Sequence, residues 1–109
     1  MSKNWRQSRA YRRWRVQVIR RDKVCAICTS RKNRHAHHID SASYFPELRF
    51  VVQNGVCLCK TCHRQYHTNF NRSYRVKTTR YNFENFVSLM TYAKETFKTE
   101  ENISKKENV

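Results

Sequence analysis

A chain of 109 residues makes one domain, at the small end of what an apolar core can hold together unaided. Apolar residues are 39% of it, and with a single Gly and a single Pro it is neither collagenous nor low in complexity. Lys and Arg number 23 against 8 acids, a formal +15, which excludes a partner-neutral surface and makes a polyanion the expected partner.

Residues 1–24 form a basic segment with nine Lys/Arg and one Asp. Tyr11, Trp14 and Val18 recur at i, i+3 and i+7, which predicts a helix packed by that stripe. Arg12, Arg13, Arg15 and Arg20 lie mostly off the stripe and are the expected contacts to phosphate. Residues 25–70 hold every Cys and His. Within them, Ser41–Gln53 reads as an irregular stretch broken by Pro46, and Asn54-Gly55 is a turn signal. Val56–Cys59 reads as a short strand, and Lys60 onward suits a helix. Residues 71–98 make a C-terminal extension. In it Phe83, Phe86, Val87, Met90, Ala93 and Phe97 stand at offsets 0, 3, 4, 7, 10 and 14, an amphipathic helix over 82–98 with Asn82 as its cap. Residues 99–109 are a polar tail expected to fray.

No apolar run approaches the ~18 residues that span a bilayer. The Arg-rich start lacks the continuous apolar stretch of a signal peptide. The expected compartment is a reducing cytoplasm, where thiols bind metal more often than they form disulfides. The cysteines fit that setting. Cys25-x2-Cys28 and Cys59-x2-Cys62 are two CxxC pairs separated by 30 residues. Each pair offers two adjacent corners of a tetrahedron, so together they predict a closed, four-sulfur structural zinc site. Cys57 is left over and reads as a small core residue.

Four of the five histidines fall in two groups, His37-His38 and His63-x3-His67. On a helix, His63 and His67 share a face and can grip one ion. A zinc satisfied by four sulfurs has no use for them, so they imply a second metal site beside the first. His35 reads as structural, and Asp40 as a turn or cap residue.

With CAIC, HAHHI and NGVCLCKTCHRQYH in this order, the chain resembles the HNH endonucleases in their zinc-bearing form, many of them from phages and mobile elements. The resemblance covers about residues 11–70 and extends to Trp14, Arg21-Asp22 and the YFPELRF stretch. It implies a small α+β fold with a ββα-metal core, a β-hairpin and a helix clasping one divalent cation, flanked here by the N- and C-terminal helices. It implies His38 as general base, His37 and His63 as ligands of the catalytic ion, His67 as a further ligand, and Asn54 as the residue that orients the base. Many of these enzymes have Asp where His37 stands. Imidazole is softer than carboxylate, which makes Mg²⁺ less secure and admits Mn²⁺, Ni²⁺ or Zn²⁺.

The chemistry suits these residues independently. A neutral imidazole with a pKa near ~6.5 can take a proton from water at neutral pH. A divalent ion can stabilise charge on the phosphoryl and leaving oxygens, so no separate general acid is required. The expectation is a DNA endonuclease leaving 5′-phosphate and 3′-hydroxyl ends, with no small-molecule cofactor and no membrane partner, in the host cytoplasm if phage-encoded. Arg64 borders the site as a further phosphate contact. The rival expectation is a zinc-binding nucleic-acid module without cleavage, which needs the cysteines and arginines but not His37, His38 and His63 in register. An RNA-directed protein is a third, since phosphate contacts do not report the sugar.

Overall fold

The computed structural model describes residues 4–71 and 76–107, with side chains described outside residues 71 and 94–107. In chain order its main elements are α1 (Arg9–Asp22), β1 (Arg34–His38), β2 (Gly55–Cys59), α2 (Lys60–Tyr66) and α3 (Arg80–Glu107). This is a small α+β fold in which β1 and β2 pair antiparallel, with His37 opposite Val56 and His38 opposite Gly55.

Helix α1 starts where Ser8 caps it, the serine hydroxyl accepting from the Tyr11 N–H at 3.1 Å. Such a cap is worth about 1 kcal/mol. The helix buries the expected stripe, with Trp14 and Val18 packed on Ala36 of β1 and flanked by Tyr11 and Val52. At its far end Arg21 and Asp22 fasten it to the hairpin. Arg21 donates to the carbonyls of Val52 and Gly55, and the Asp22 carboxylate accepts the Cys57 N–H at 2.9 Å.

The opposite face of the hairpin carries the larger core. Leu58, Ile39, Tyr66, Phe83 and Phe86 are buried there with Cys25, Cys59 and Cys62. The extended backbone sends neighbouring residues to opposite faces. Ala36 and His38 therefore lie toward α1, while His35 and His37 lie toward α2.

The stretch from Ser41 to Gln53 is irregular, as its sequence predicts, with short 3₁₀ turns at Pro46–Leu48 and Val52–Asn54. Helix α2 begins at Lys60 as expected and passes at His67–Asn71 into a turn of π-helix. Helix α3 departs from expectation at both ends. It starts at Arg80, so Asn82 stands one turn inside it. There the Asn82 side-chain Oδ1 accepts from the Thr79 N–H at 2.9 Å, satisfying the helix start from within rather than from the cap position. The helix also runs on to Glu107, past the residue where the tail was expected to fray. Residues 99–107 hold no Gly or Pro to end it. Phe97, the last position of the expected stripe, lies outside the described side chains.

Gly55 is required by space. Its backbone has an ordinary extended conformation, but a Cβ there would run into Val18 Cγ2 and stand 2.8 Å from Trp14 Cζ2. Both partners are buried and cannot swing aside. Gly55→Ala is therefore expected to lower unfolding free energy by about 1–3 kcal/mol, the usual cost of overpacking. Chemical denaturation checks this, and a variant as stable as the parent would show that α1 does not press on the hairpin here.

Candidate functional site

Among the described residues, two clusters of metal-ligating side chains lie side by side. In the first, Cys25, Cys28, Cys59 and Cys62 bring their sulfurs within 4.8 Å of one another. Cys25 and Cys28 come from a tight turn that closes when Thr29 enters the left-handed region at φ 64° and its N–H bonds the Cys25 carbonyl. Cys59 ends β2 and Cys62 lies in the first turn of α2. The Cys28 and Cys59 sulfurs are 3.6 Å apart. Metal–sulfur bonds of about 2.3 Å in a tetrahedron give edges of about 3.8 Å, so the four thiols fit one ion. Burial raises the Cys25 thiol, but N–H donors of the turn outweigh it and bring its pKa down to about 7. Burial pushes Cys62 the other way, well up, with its neighbouring thiols adding to the effect. The cluster thus favours a first thiolate and resists the next, a conflict that a bound cation relieves.

In the second cluster, His37, His63 and His67 also bring ring nitrogens within 4.8 Å of one another. His37 comes from β1. His63 lies on α2, and His67 follows one turn later, as the i, i+4 spacing predicts. The Nε2 atoms of His63 and His67 are 2.8 Å apart. His37 is 3% exposed, and among the described residues its Nε2 has no hydrogen-bond partner. A buried ring nitrogen left unpaired among two others is the arrangement a metal ion satisfies. The three imidazoles fit one.

His38 is not part of that cluster. Its ring lies flat on Trp14, centroids 4.0 Å apart and planes 7° from parallel, with Trp5 edge-on at 5.7 Å. Its Nε2 is 2.9 Å from the Arg49 carbonyl oxygen. The Trp14 indole N–H donates to the Val51 carbonyl at 2.9 Å, so one loop segment holds both rings. His37, His38, His63 and His67 line a cleft of about 220 Å³, together with Arg6, Arg15 and His35.

Asn54 is buried and acts at one remove from His38. Its side chain accepts from the Asp40 N–H at 2.8 Å and donates to the Asp40 and Leu48 carbonyls. It thereby fixes the loop whose next carbonyl, at Arg49, meets His38. Asn54 thus reaches His38 through the loop backbone, with no side-chain bond between the two. Of the arginines read as phosphate contacts, Arg15 lines the cleft. Arg12, Arg13, Arg20 and Arg64 are exposed and lie outside its lining. Arg6 and Arg49 have no signal in the sequence: one stands among other cations and the other apart from them, and only the fold brings both to Trp5. The Ser41–Thr78 pair was missed as well. The Ser41 hydroxyl accepts from the Thr78 N–H at 2.7 Å and ties the segment before α3 to the edge of the cleft.

Burial makes the charged imidazole unfavourable at His37, His38 and His63. It lowers His37 well below the ordinary histidine range, His38 to about 4 and His63 to about 3, with nearby histidines and arginines adding to the effect. No protein-family model, curated protein or solved structure matches the chain.

The sign of the pH effect follows. A folded-state pKa below the unfolded value of about 6.5 gives stability that is complete above that pH and lost as pH falls. Thermal melts should therefore fall progressively from about pH 6.5 toward pH 4, the His38 value. A melting temperature flat across that window would show that these rings are not buried neutral. For the sulfur cluster, Cys59→Ser is expected to lose the bound ion and to unfold, since in small metal-stapled domains binding supplies folding free energy. Metal analysis and circular dichroism check this; a folded variant retaining its ion would remove Cys59 from the site.

Proposed function

We propose that the chain is a metal-dependent endonuclease of the HNH type, cutting DNA with His38 as general base and carrying a structural zinc on its four cysteines. The observation that carries the reading is the fixed His38 ring in the same cleft as the cluster of His37, His63 and His67. A binding module has no use for that juxtaposition. Its exposed arginines and a four-sulfur site would suffice.

The hydrogen bond of His38 supports that role. A carbonyl oxygen only accepts, so Nε2 carries the proton it gives to Arg49, and Nδ1 keeps the lone pair. That nitrogen is the one able to take a proton from water. Burial keeps the ring neutral at physiological pH, which is the protonation state a base needs. The stack on Trp14 fixes the plane of the ring and so the direction of the lone pair. Arg15, half-buried at the cleft, supplies positive charge for the phosphate.

His37, His63 and His67 would hold a divalent ion, which supplies Lewis-acid stabilisation of charge on the phosphate and on the leaving 3′ oxygen. An all-imidazole donor set favours Mn²⁺, Ni²⁺ or Zn²⁺ over Mg²⁺. Water attack with departure of the 3′ oxygen leaves 5′-phosphate and 3′-hydroxyl ends.

The test is a supercoiled-plasmid assay with each divalent ion in turn. Cleavage by the wild type is expected, with His38→Ala reducing it by about 100-fold or more while DNA binding persists, the scale of a lost general base. A wild type inert with every metal but still binding DNA would instead favour the zinc-stapled binding module.

A further inference from the structure

The charge of the chain is unevenly spread. Residues 1–79 hold 18 of the 23 Lys/Arg and three of the eight acids, whereas residues 80–109 hold five of each. The whole excess of +15 therefore lies ahead of α3. Within residues 81–93 the one charged side chain is Glu84. This part of α3 buries Phe83 and Phe86 and packs Val87 and Met90 against the core. At about 100° per residue, Tyr81, Asn85, Ser88, Leu89 and Tyr92 fall on a stripe turned away from that face. All five are exposed, Tyr81 by 71%, Leu89 by 55% and Tyr92 by 69% among them.

A phosphate backbone finds nothing to hold on this stripe, because it carries no cation. A second copy of the chain fits it better. Over the rest of the surface two copies would meet with like charge on both sides, a cost that α3 avoids. The stripe is also self-complementary. Turned antiparallel about a two-fold axis passing between Phe86 and Val87, it sets Tyr81 against Tyr92 of the second copy and Asn85 against Ser88 of the second copy. The tyrosines bring apolar area with a polar tip, and the amide and hydroxyl are a matched donor and acceptor. At the usual size of such side chains, the exposed parts of Tyr81, Leu89 and Tyr92 come to about 400 Å² per copy. With Asn85, Ser88 and Ala93 added, both copies together bury about 1,000 Å², the low end for a specific interface.

We propose that the stripe of Tyr81, Leu89 and Tyr92 on α3 docks on the same stripe of a second copy, making a weak antiparallel dimer. The contact uses none of the cations of residues 1–79, so all of them stay available to a polyanion. No residue of the stripe lines the histidine cleft, so the dimer carries two open clefts. The dimer does not depend on the nuclease reading and stands or falls apart from it.

Sedimentation velocity of the full chain, free of nucleic acid, over a concentration series up to about 500 µM tests the dimer. The mass should rise from one chain toward two with a midpoint in the tens of micromolar, roughly the affinity of a small interface. Added salt should tighten it about 2–5-fold, because salt screens the repulsion of two cationic bodies and spares an apolar contact. Tyr81→Glu and Tyr92→Lys should each weaken it about 10-fold or more, as central aromatic anchors do. Combined in one chain, the two substitutions should recover about 3-fold or more of the loss. The new charges stand three turns apart on their own helix, so they can meet only across the antiparallel contact. Both positions are exposed, so the fold should survive, which circular dichroism checks. A parent that stays monomeric at the highest concentration, or a dimer indifferent to both single substitutions, would overturn the contact. A double variant no tighter than the single ones would overturn the antiparallel register.

Discussion

Cys62 and His63 are neighbours on one short helix, and the rest of the site depends on that adjacency. Helix α2 is seven residues long, too short to hold its shape by its own hydrogen bonds, and its first residue follows Cys59 without a side-chain cap. Its first turn is instead fixed by what its cysteine joins, the sulfurs of Cys25, Cys28 and Cys59. Successive residues on a helix point about 100° apart. Once Cys62 is committed to the sulfur cluster, His63 must face the hairpin, and His67 follows on the same face one turn later. The four-sulfur site therefore sets the angle of two of the three imidazoles in the neighbouring cluster. The geometry of the histidines is inherited from the cysteines.

The other two site histidines owe their positions to the hairpin. His37 and His38 are adjacent on an extended strand, so they leave it on opposite faces, one toward α2 and one toward α1. This puts His37 in the histidine cluster and His38 against Trp14 using the shortest possible piece of chain. It also requires α1 to come very close, because the ring that holds His38 must lie over the residue paired with it. That residue is Gly55. The space its missing Cβ leaves is occupied by the same indole that stacks on His38. The chain's one glycine and the orientation of His38 are thus a single packing fact.

Much of this was legible in the sequence, and the reasons are physical. The paired CxxC spacing and the i, i+4 histidines encode local geometry, so both clusters assembled from the residues that the spacing names. The stripe of Tyr11, Trp14 and Val18 gave the buried face of α1 for the same reason. What stayed hidden depends on contacts between distant segments. Gly55 looked like a turn residue because a turn is the local explanation for Asn-Gly; the pressure from Trp14 and Val18 is not local. The resemblance implies that Asn54 orients His38, but not how: its amide holds the backbone of the loop whose Arg49 carbonyl meets the ring. Arg6 and Arg49 could not be told from the other cations, since only the fold brings them to Trp5. The start of α3 was misjudged because an Asn near a helix start serves either at the cap or one turn inside it.

The excess of positive charge bears on the histidines as well as on the partner. With 23 Lys/Arg against 8 acids, the field over the cleft disfavours any further proton. His63 feels His67, His35 and His38, and His38 feels Arg6 and Arg49, each on top of the cost of burial. All of these effects push the imidazoles toward the neutral form, which is the form that ligates a cation or accepts a proton. The same field that keeps them unprotonated also attracts a phosphate group. A domain with balanced surface charge would have to obtain these two effects separately. Here both follow from the composition, and the fold adds only the enclosure that makes them strong at one place.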